Sequence, residues 1–121
     1  MNSDDLFWAT YTVYNEARGE VREGQKAVAK VILNRASGKN IVSTVTKAWQ
    51  FSCFNAGIRP VINEPMTFLA VMRVCQEAFD EWMKGDNLQQ AKHYYNPSLC
   101  RPEWAESYQP VATIGNHIFL K

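Results

Sequence analysis

The segment Tyr14-Asn15-Glu16-Ala17-Arg18-Gly19-Glu20 holds the densest cluster of side chains that could do chemistry in this chain. Glu16 lies in the last turn of a predicted helix that is otherwise aromatic and apolar. A carboxyl group held against aromatic rings loses hydration, which raises its pKa and keeps it protonated near neutral pH. A protonated carboxyl group is what general-acid cleavage of a glycosidic bond requires.

The same spacing also fits a purely structural interpretation. Glu16 and Glu20 could form ion pairs on a solvated helix face, and such pairs are common and weak. The basic partners within reach are Arg18, Arg22 and Lys26. Spacing alone favours this structural interpretation over the catalytic one.

Other reaction chemistries find less support. The two histidines, His93 and His117, belong to no H-E-x-x-H motif, so we expect no metal site and no cofactor. A cysteine peptidase or amidase would need Cys53 beside one of the histidines. Cys53 lies in the segment Phe51-Ser52-Cys53-Phe54 and is better explained as a thiol packed between the two phenylalanines. The nucleotide-binding and serine-hydrolase motifs are absent from the sequence.

Length and composition indicate a single globular domain over residues 1–121. Apolar residues make up 46% and charged residues 21% of the chain, and the net charge of +1 is too small for a dedicated nucleic-acid-binding domain. No apolar run approaches the ~18 residues of a membrane span. The first residues carry two acids and no base, so we expect no secretory signal and a protein kept in the cytoplasm when made. The three cysteines are expected to be small buried thiols.

Helical periodicity dominates the first two thirds of the chain. The predicted helices are Asp4 to Ala17, capped by Ser3, then Arg22 to Ala36, Ser43 to Trp49, and a fourth from Pro65 to about Met83, capped by Asn63. The fourth helix is expected to bury six residues: Phe68, Leu69, Met72, Cys75, Phe79 and Trp82. Gln50 to Asn63 is expected to be a long irregular loop.

The last third has the alternating pattern of short strands. We predict strands at Lys92 to Tyr95, Val111 to Ile114 and His117 to Leu120, with Gly115-Asn116 as a two-residue hairpin turn. A helical lobe followed by a small antiparallel sheet makes an α+β domain. The long loop and the sheet can then form a groove beside the helices.

Aromatic residues in or beside the predicted loops and sheet could line that groove. They are Trp49, Phe51, Tyr94, Tyr95 and Trp104. Aromatic faces stack on sugar rings, and nearby amide side chains could grip hydroxyl and acetamido groups. Taken singly, each of these aromatic residues is better explained as part of a small core.

Four motifs in order resemble the cell wall hydrolase family of the SleB and CwlJ type, over nearly the whole chain. The family's opening motif, Y-G-E-A-R-G-E followed by E-G-Q-x-A-V-A-x-V-I-L-N-R, matches Tyr14 to Glu20 and Glu23 to Arg35. Its Q-F-S-C motif matches Gln50 to Cys53, Y-Y-N-P matches Tyr94 to Pro97, and I-G-N-H-x-F matches Ile114 to Phe119. Asn15 departs from the pattern, since the family has glycine before its first acid.

The resemblance implies a lysozyme-like α+β fold, with the helical lobe and the small sheet flanking a glycan cleft, and an enzyme that cleaves peptidoglycan strands. Glu16 matches the family's catalytic glutamate, whereas Glu20 is expected to order the turn through Arg18 or a backbone amide. The implied reaction is that of a lytic transglycosylase, in which one glutamate acts first as acid and then as base. A hydrolytic muramidase with a second carboxylate is the alternative, and a Cys/His peptidase or a non-catalytic glycan-binding domain remain the competing classes.

The resemblance also supplies the expected glycan-binding residues. They are Gln50, Phe51, Ser52, Tyr94, Tyr95, Asn96 and His117. Ser52 and Tyr95 are expected to touch sugar, and His117 to brace the cleft. The expected partner is the peptidoglycan glycan strand. The protein is expected to act as a monomer and not to bind nucleic acid. The compact form without a signal is typical of a phage endolysin that a holin releases to the wall.

Overall fold

The computed structural model describes residues 1–47 and 61–121 of the chain. Its helices are α1 (Ser3–Ala17), α2 (Arg22–Ala36), α3 (Ile41–Thr46) and α4 (Pro65–Met83). Its strands are β1 (His93–Tyr95), β2 (Pro110–Ile114) and β3 (His117–Leu120), with short 3₁₀ turns at Leu88–Gln90 and Glu103–Ser107. The predicted α+β class is therefore confirmed, and so are both bounds of α2.

Helix α1 forms the centre of the helical lobe. Its residues Ala9 to Tyr14 are all buried, because α2, α3 and α4 all pack against it. The Asn2 side chain, rather than the predicted Ser3, caps the helix by accepting a hydrogen bond from the Asp5 amide at 2.8 Å. The helix ends at Ala17, so Glu20 is not on its continuation.

Helices α2 and α4 are joined by a buried polar contact. The Trp82 indole Nε1 donates to the Asn34 side-chain oxygen at 2.8 Å, and the Asn34 amide nitrogen donates to the carbonyl oxygens of Asn87 and Ala91. Gly38, just after α2, has φ +72, and a Cβ there would lie 2.8 Å from the Trp82 ring. Glycine therefore fits this position for two reasons, the backbone conformation and the space that the indole occupies.

Lysines of α2 and acids of α4 form a second contact between the same helices. Lys26 and Lys30 have side chains only 11% and 7% exposed, and each donates to one oxygen of Glu81 at 2.8 Å. These two hydrogen bonds lower the pKa of Glu81 to about 2. Because both lysine side chains are largely buried, the Glu81 charge helps to compensate theirs, together with Glu23, Glu77 and Asp86.

The three strands form one antiparallel sheet in the order β1-β3-β2. Strand β3 is central, and its Phe119 and Leu120 are buried, with Phe119 in the same hydrophobic core as the helices. The β2–β3 hairpin pairs Ile114 with His117 around Gly115-Asn116, as predicted. This strand order places β1, which carries Tyr94 and Tyr95, directly beside β3.

Several local predictions are wrong. Helix α3 begins at Ile41 and ends at Thr46, because Ile41 and Val45, one turn apart, are the residues that it buries. Glu64, rather than Asn63, immediately precedes α4, and its side chain makes no capping bond. Leu69 is 51% exposed, since it lies on the solvent side of α4. Of the predicted loop Gln50 to Asn63, residues 50–60 lie outside the described residues.

Replacing Glu81 by glutamine (Glu81→Gln) should destabilise the fold at neutral pH. We expect a loss of about 1–2 kcal/mol in the free energy of unfolding, allowing for the partial exposure of Glu81 and the remaining acids near the two lysines. Because the folded-state pKa of Glu81 is lowered from 4.5 to about 2, its stabilisation is present above pH 4.5. It is lost as the pH falls toward 2.

Denaturant unfolding at pH 7 and at pH 2.5 measures this difference. The matched control is Glu106→Gln, which breaks the exposed Arg101–Glu106 pair and should cost less than about 0.5 kcal/mol. An equal deficit of Glu81→Gln at both pH values would contradict the assignment of the loss to the Glu81 charge.

Candidate active site

A cleft of about 430 Å³ lies between the end of the helical lobe and the sheet. Helix α1 and the turn after it contribute Glu16, Ala17, Gly19 and Glu20 to its lining. The sheet side contributes Tyr94, Tyr95, Asn96, Leu99 and His117. Residues from three separate parts of the sequence thus meet in one cleft.

Glu16 projects into this cleft from the last turn of α1. It is partly buried, and Tyr94 from β1 donates its hydroxyl hydrogen to Glu16 Oε2 over 3.3 Å. The Tyr94 ring is held in turn by edge-on contact with His117, with ring centroids 5.1 Å apart, and by contact with Phe119. The orientation of the Glu16 carboxyl group therefore depends on the sheet as well as on α1.

Glu20 has a different environment, although it lines the same cleft. Its Oε1 accepts hydrogen bonds from the Asn116 backbone amide at 2.9 Å and from His117 Nδ1 at 3.1 Å, and its Oε2 accepts one from the Asn116 side chain at 2.7 Å. Burial by itself would raise the pKa of Glu20, but these donors outweigh it and lower the pKa below its usual value. Glu20 is therefore a poor proton donor near neutral pH.

The predicted role of Glu20 in ordering a turn through a backbone amide is confirmed, with the amide supplied by Asn116. Gly115 precedes that residue with φ +57, and a Cβ there would lie 2.9 Å from Glu20 Oε1. The close approach of the hairpin turn to the carboxylate therefore requires glycine. The alternative partner Arg18 instead pairs with Glu64 at 3.3 Å.

Arg35, at the C-terminal end of α2, is a residue near the site that sequence reasoning missed. Its Nε donates to the Lys92 carbonyl oxygen at 2.6 Å, directly before β1. Burial lowers the pKa of the guanidinium group, while the charges of Tyr94 and Glu16 act in the opposite direction. A basic residue at the end of a mostly apolar helix motif was the available signal.

The expected glycan-binding residues divide into two groups. Tyr94, Tyr95, Asn96 and His117 line the cleft with Glu16, whereas Gln50, Phe51 and Ser52 lie outside the described residues. The Asn96 side-chain oxygen accepts hydrogen bonds from the amide and hydroxyl groups of Ser98, so its amide has donor hydrogens to offer a ligand.

The ion-pair interpretation of the first motif named Arg18, Arg22 and Lys26 as the partners of Glu16 and Glu20, and the structure pairs these bases with Glu64, Glu77 and Glu81. The cysteine alternative finds no support at Cys75, because burial raises the pKa of that thiol to about 12. Cys100 is exposed, contrary to the prediction, and Cys53 lies outside the described residues.

Within residues 1–47 and 61–121, His, Cys, Asp and Glu side chains form no group of three that could hold a metal ion. No helix in these two ranges is both long and apolar enough to cross a membrane.

This arrangement, a helical lobe and a small sheet with a carboxyl group in the cleft between them, agrees with a comparison with known proteins. A sequence model described as "Cell Wall Hydrolase" matches residues 19–120. The chain therefore belongs to the cell wall hydrolase family, and the predicted family is confirmed.

Two curated relatives match 99% of the chain, including the Glu16 segment before the family match. The spore cortex-lytic enzyme of Bacillus subtilis (strain 168) is 31% identical over 130 residues, and that of Oceanobacillus iheyensis is 32% identical over 133 residues. The matched regions are 38% and 42% of those two proteins, so the chain spans about two fifths of their length.

Two solved structures have the same fold. The catalytic domain of the germination-specific lytic transglycosylase SleB from Bacillus anthracis superimposes with a TM-score of 0.81 and 27% identity, covering 100% of this chain and 97% of that one. The catalytic domain of the Bacillus cereus SleB protein gives 0.79 and 27%, covering 99% and 91%. The predicted lysozyme-like α+β fold is confirmed by these two matches.

Replacing Glu20 by glutamine (Glu20→Gln) should destabilise the protein without removing a proton donor. A glutamine nitrogen facing the Asn116 amide would put two donors together, and we expect a loss of about 1–3 kcal/mol at pH 7. Because the pKa of Glu20 is lowered in the folded state, the stabilisation is present above the usual value of 4.5. It declines as the pH falls through the folded-state pKa.

Thermal and denaturant unfolding between pH 7 and pH 3 check this result. The control Glu23→Gln changes an acid that is 68% exposed and should leave stability within about 0.5 kcal/mol of wild type. A Glu20→Gln protein as stable as the control at pH 7 would contradict the structural role.

Proposed function

We propose that this protein is a peptidoglycan lytic transglycosylase, with Glu16 as the residue that acts first as acid and then as base. The observation that carries the proposal is the contrast between the two carboxyl groups of the cleft. Glu20 is held by three donors from the hairpin, whereas Glu16 faces the cleft beside the Tyr94 hydroxyl. The family match and the SleB catalytic domains support the same reaction class.

In the proposed reaction, Glu16 transfers its proton to the oxygen that links N-acetylmuramic acid to the next N-acetylglucosamine. The bond from that oxygen to C1 of the muramic acid breaks, and the N-acetylglucosamine leaves with the proton. The C6 hydroxyl of the muramic acid then attacks its own C1, and the Glu16 carboxylate removes the hydroxyl proton. The product is a 1,6-anhydro ring, no water is consumed, and Glu16 ends protonated as it began.

Tyr94 and Arg35 lie close enough to Glu16 to act during this cycle. The Tyr94 hydroxyl can donate to the carboxylate that forms after the first proton transfer, because a carboxylate is an acceptor only. The positive charge of Arg35 also interacts with Glu16. The Asn96 amide and Tyr95 line the cleft wall, and we propose that both contact the sugar.

A hydrolytic muramidase would use a water molecule where the transglycosylase uses the C6 hydroxyl. Such an enzyme needs a second carboxylate, as nucleophile or as base. Glu20 is the other acid among the described lining residues, and its oxygens are both occupied by donors from Asn116 and His117. We therefore favour the transglycosylase reaction.

The variant Glu16→Gln tests the proposed role, since it keeps the shape of the side chain and removes the exchangeable proton. We expect cleavage of purified peptidoglycan to fall by at least about 100-fold, the lower range for loss of a general acid or base. Mass spectrometry of the digest made in H₂¹⁸O identifies the reaction. Wild type should release unlabelled anhydro-muropeptides, each one water molecule lighter than the hydrolysis product.

Glu23→Gln again serves as the control and should cleave as wild type does. Reducing ends that carry ¹⁸O would mean a muramidase that still uses Glu16. Full activity of Glu16→Gln would overturn the glutamate mechanism and favour the Cys/His alternative. Binding of glycan without any cleavage by wild type would identify a non-catalytic domain.

The proposed partner is the peptidoglycan glycan strand, and the enzyme is proposed to act on it as a monomer. Release to the wall by a phage holin stays a prediction of the sequence. Sedimentation at several protein concentrations measures the oligomeric state, and a mass that rises with concentration would contradict the monomer.

A further inference from the structure

An exposed aromatic cluster continues from the sheet wall of the cleft. It consists of His93, Tyr95, Trp104 and Tyr108, which we call the aromatic ridge. Tyr95 lines the cleft, and its ring stands perpendicular to that of Trp104 with centroids 6.1 Å apart. Trp104 contacts Tyr108 at 6.1 Å, and Tyr108 packs on His93 at 3.9 Å. The ridge therefore reaches from the cleft outward without a break.

The local fold keeps this ridge on the surface. Trp104 lies within the 3₁₀ turn Glu103–Ser107, in which Ala105 is the buried residue, and Tyr108 directly follows the turn. Trp104 and Tyr108 remain 40% and 39% exposed. If these rings served only to fill the core, they would be expected inside it, as Tyr11 and Tyr14 are, each 3% exposed or less.

We propose that the aromatic ridge is an accessory glycan-binding surface, on which sugar rings beyond the reacting bond stack. The inference rests on the proposed function, because the glycan strand is the ligand whose continuation would leave the cleft at Tyr95. Sugar rings have an apolar face of C–H groups that packs well on aromatic rings. Exposed aromatic side chains supply large contact area with little conformational entropy to lose.

The neighbouring charges agree with a glycan better than with a highly charged ligand. Within the ridge, burial lowers the pKa of His93, and the charges of Arg35 and Lys92 act in the same direction, so its ring is neutral at pH 7. The Arg101 side chain hydrogen-bonds to Tyr95 of the ridge, and its charge is paired with that of Glu106 at 3.2 Å. The ridge thus presents neutral rings to the solvent.

Binding to oligosaccharides of two lengths tests the ridge separately from the cleft. The probes are peptidoglycan glycan oligomers freed of stem peptides, two and four disaccharides long, titrated calorimetrically into Glu16→Gln so that they are not cleaved. In this background we expect Trp104→Ala to weaken binding of the longer oligomer about tenfold, or about 1.4 kcal/mol. Binding of the shorter oligomer should stay within twofold.

Trp104→Phe keeps an aromatic face and should restore most of the lost affinity. The control Met66→Ala removes an apolar side chain of α4 that is even more exposed than Trp104, and it should change neither affinity. If Trp104→Ala binds both oligomers as tightly as the parent protein does, the ridge proposal is overturned, while the proposed role of the cleft is unaffected. If neither oligomer binds the parent protein, the proposed function fails first.

A second measurement does not depend on the folding of Trp104→Ala. Oxidation of exposed tryptophans by N-bromosuccinimide, mapped by peptide mass spectrometry, should be slowed at Trp104 by the longer oligomer and not by the shorter one. Unchanged oxidation of Trp104 under saturating longer oligomer would overturn the proposal. A dimer that Trp104→Ala converts to monomer would also overturn it, by making the ridge an interface between copies of this chain.

Discussion

The contact between the Glu20 carboxylate and the hairpin turn is the constraint on which the cleft depends. Glu20 belongs to the short connection between α1 and α2, and its donors, Asn116 and His117, belong to the β2–β3 hairpin nearly one hundred residues later. The contact ties the two walls of the cleft together. It also holds His117 against Tyr94, whose hydroxyl group in turn reaches Glu16.

Helix α2 is the element that supports both walls. One side of it is bound to α4 through Asn34, Lys26 and Lys30, so that the helical lobe behaves as one packed unit. Its last turn contacts the start of β1 through Arg35. Because β1 carries Tyr94 and Tyr95, the position of the sheet wall is set from α2 as well as from the hairpin.

The two acids of the first motif illustrate how environment separates chemically identical groups. Donors surround Glu20 and stabilise its charged form, which suits a structural anchor. Glu16 instead accepts a hydrogen bond from the hydroxyl group of Tyr94, which lies in the cleft wall. One carboxyl group thus ties the walls of the cleft together, and the other lines the cleft beside a tyrosine hydroxyl.

The sequence by itself determined the three long helices, the hairpin and the family. Apolar spacing predicted both bounds of α2, and Gly115-Asn116 predicted the turn, because these signals are local: a helical face, a backbone conformation that glycine adopts, and a residue motif. Capping residues were harder to choose, since Asn2 and Ser3 both fit a helix start.

Only the tertiary structure decided what each acid contacts. Spacing placed Glu20 beside Arg18 and Lys26, yet its partners come from a hairpin far along the chain. The burial of Arg35 beside Tyr94 and the exposure of Trp104 and Leu69 were equally out of reach. Hydrogen bonding, burial and charge depend on which distant segments pack together, and a pattern of neighbours in sequence does not carry that information.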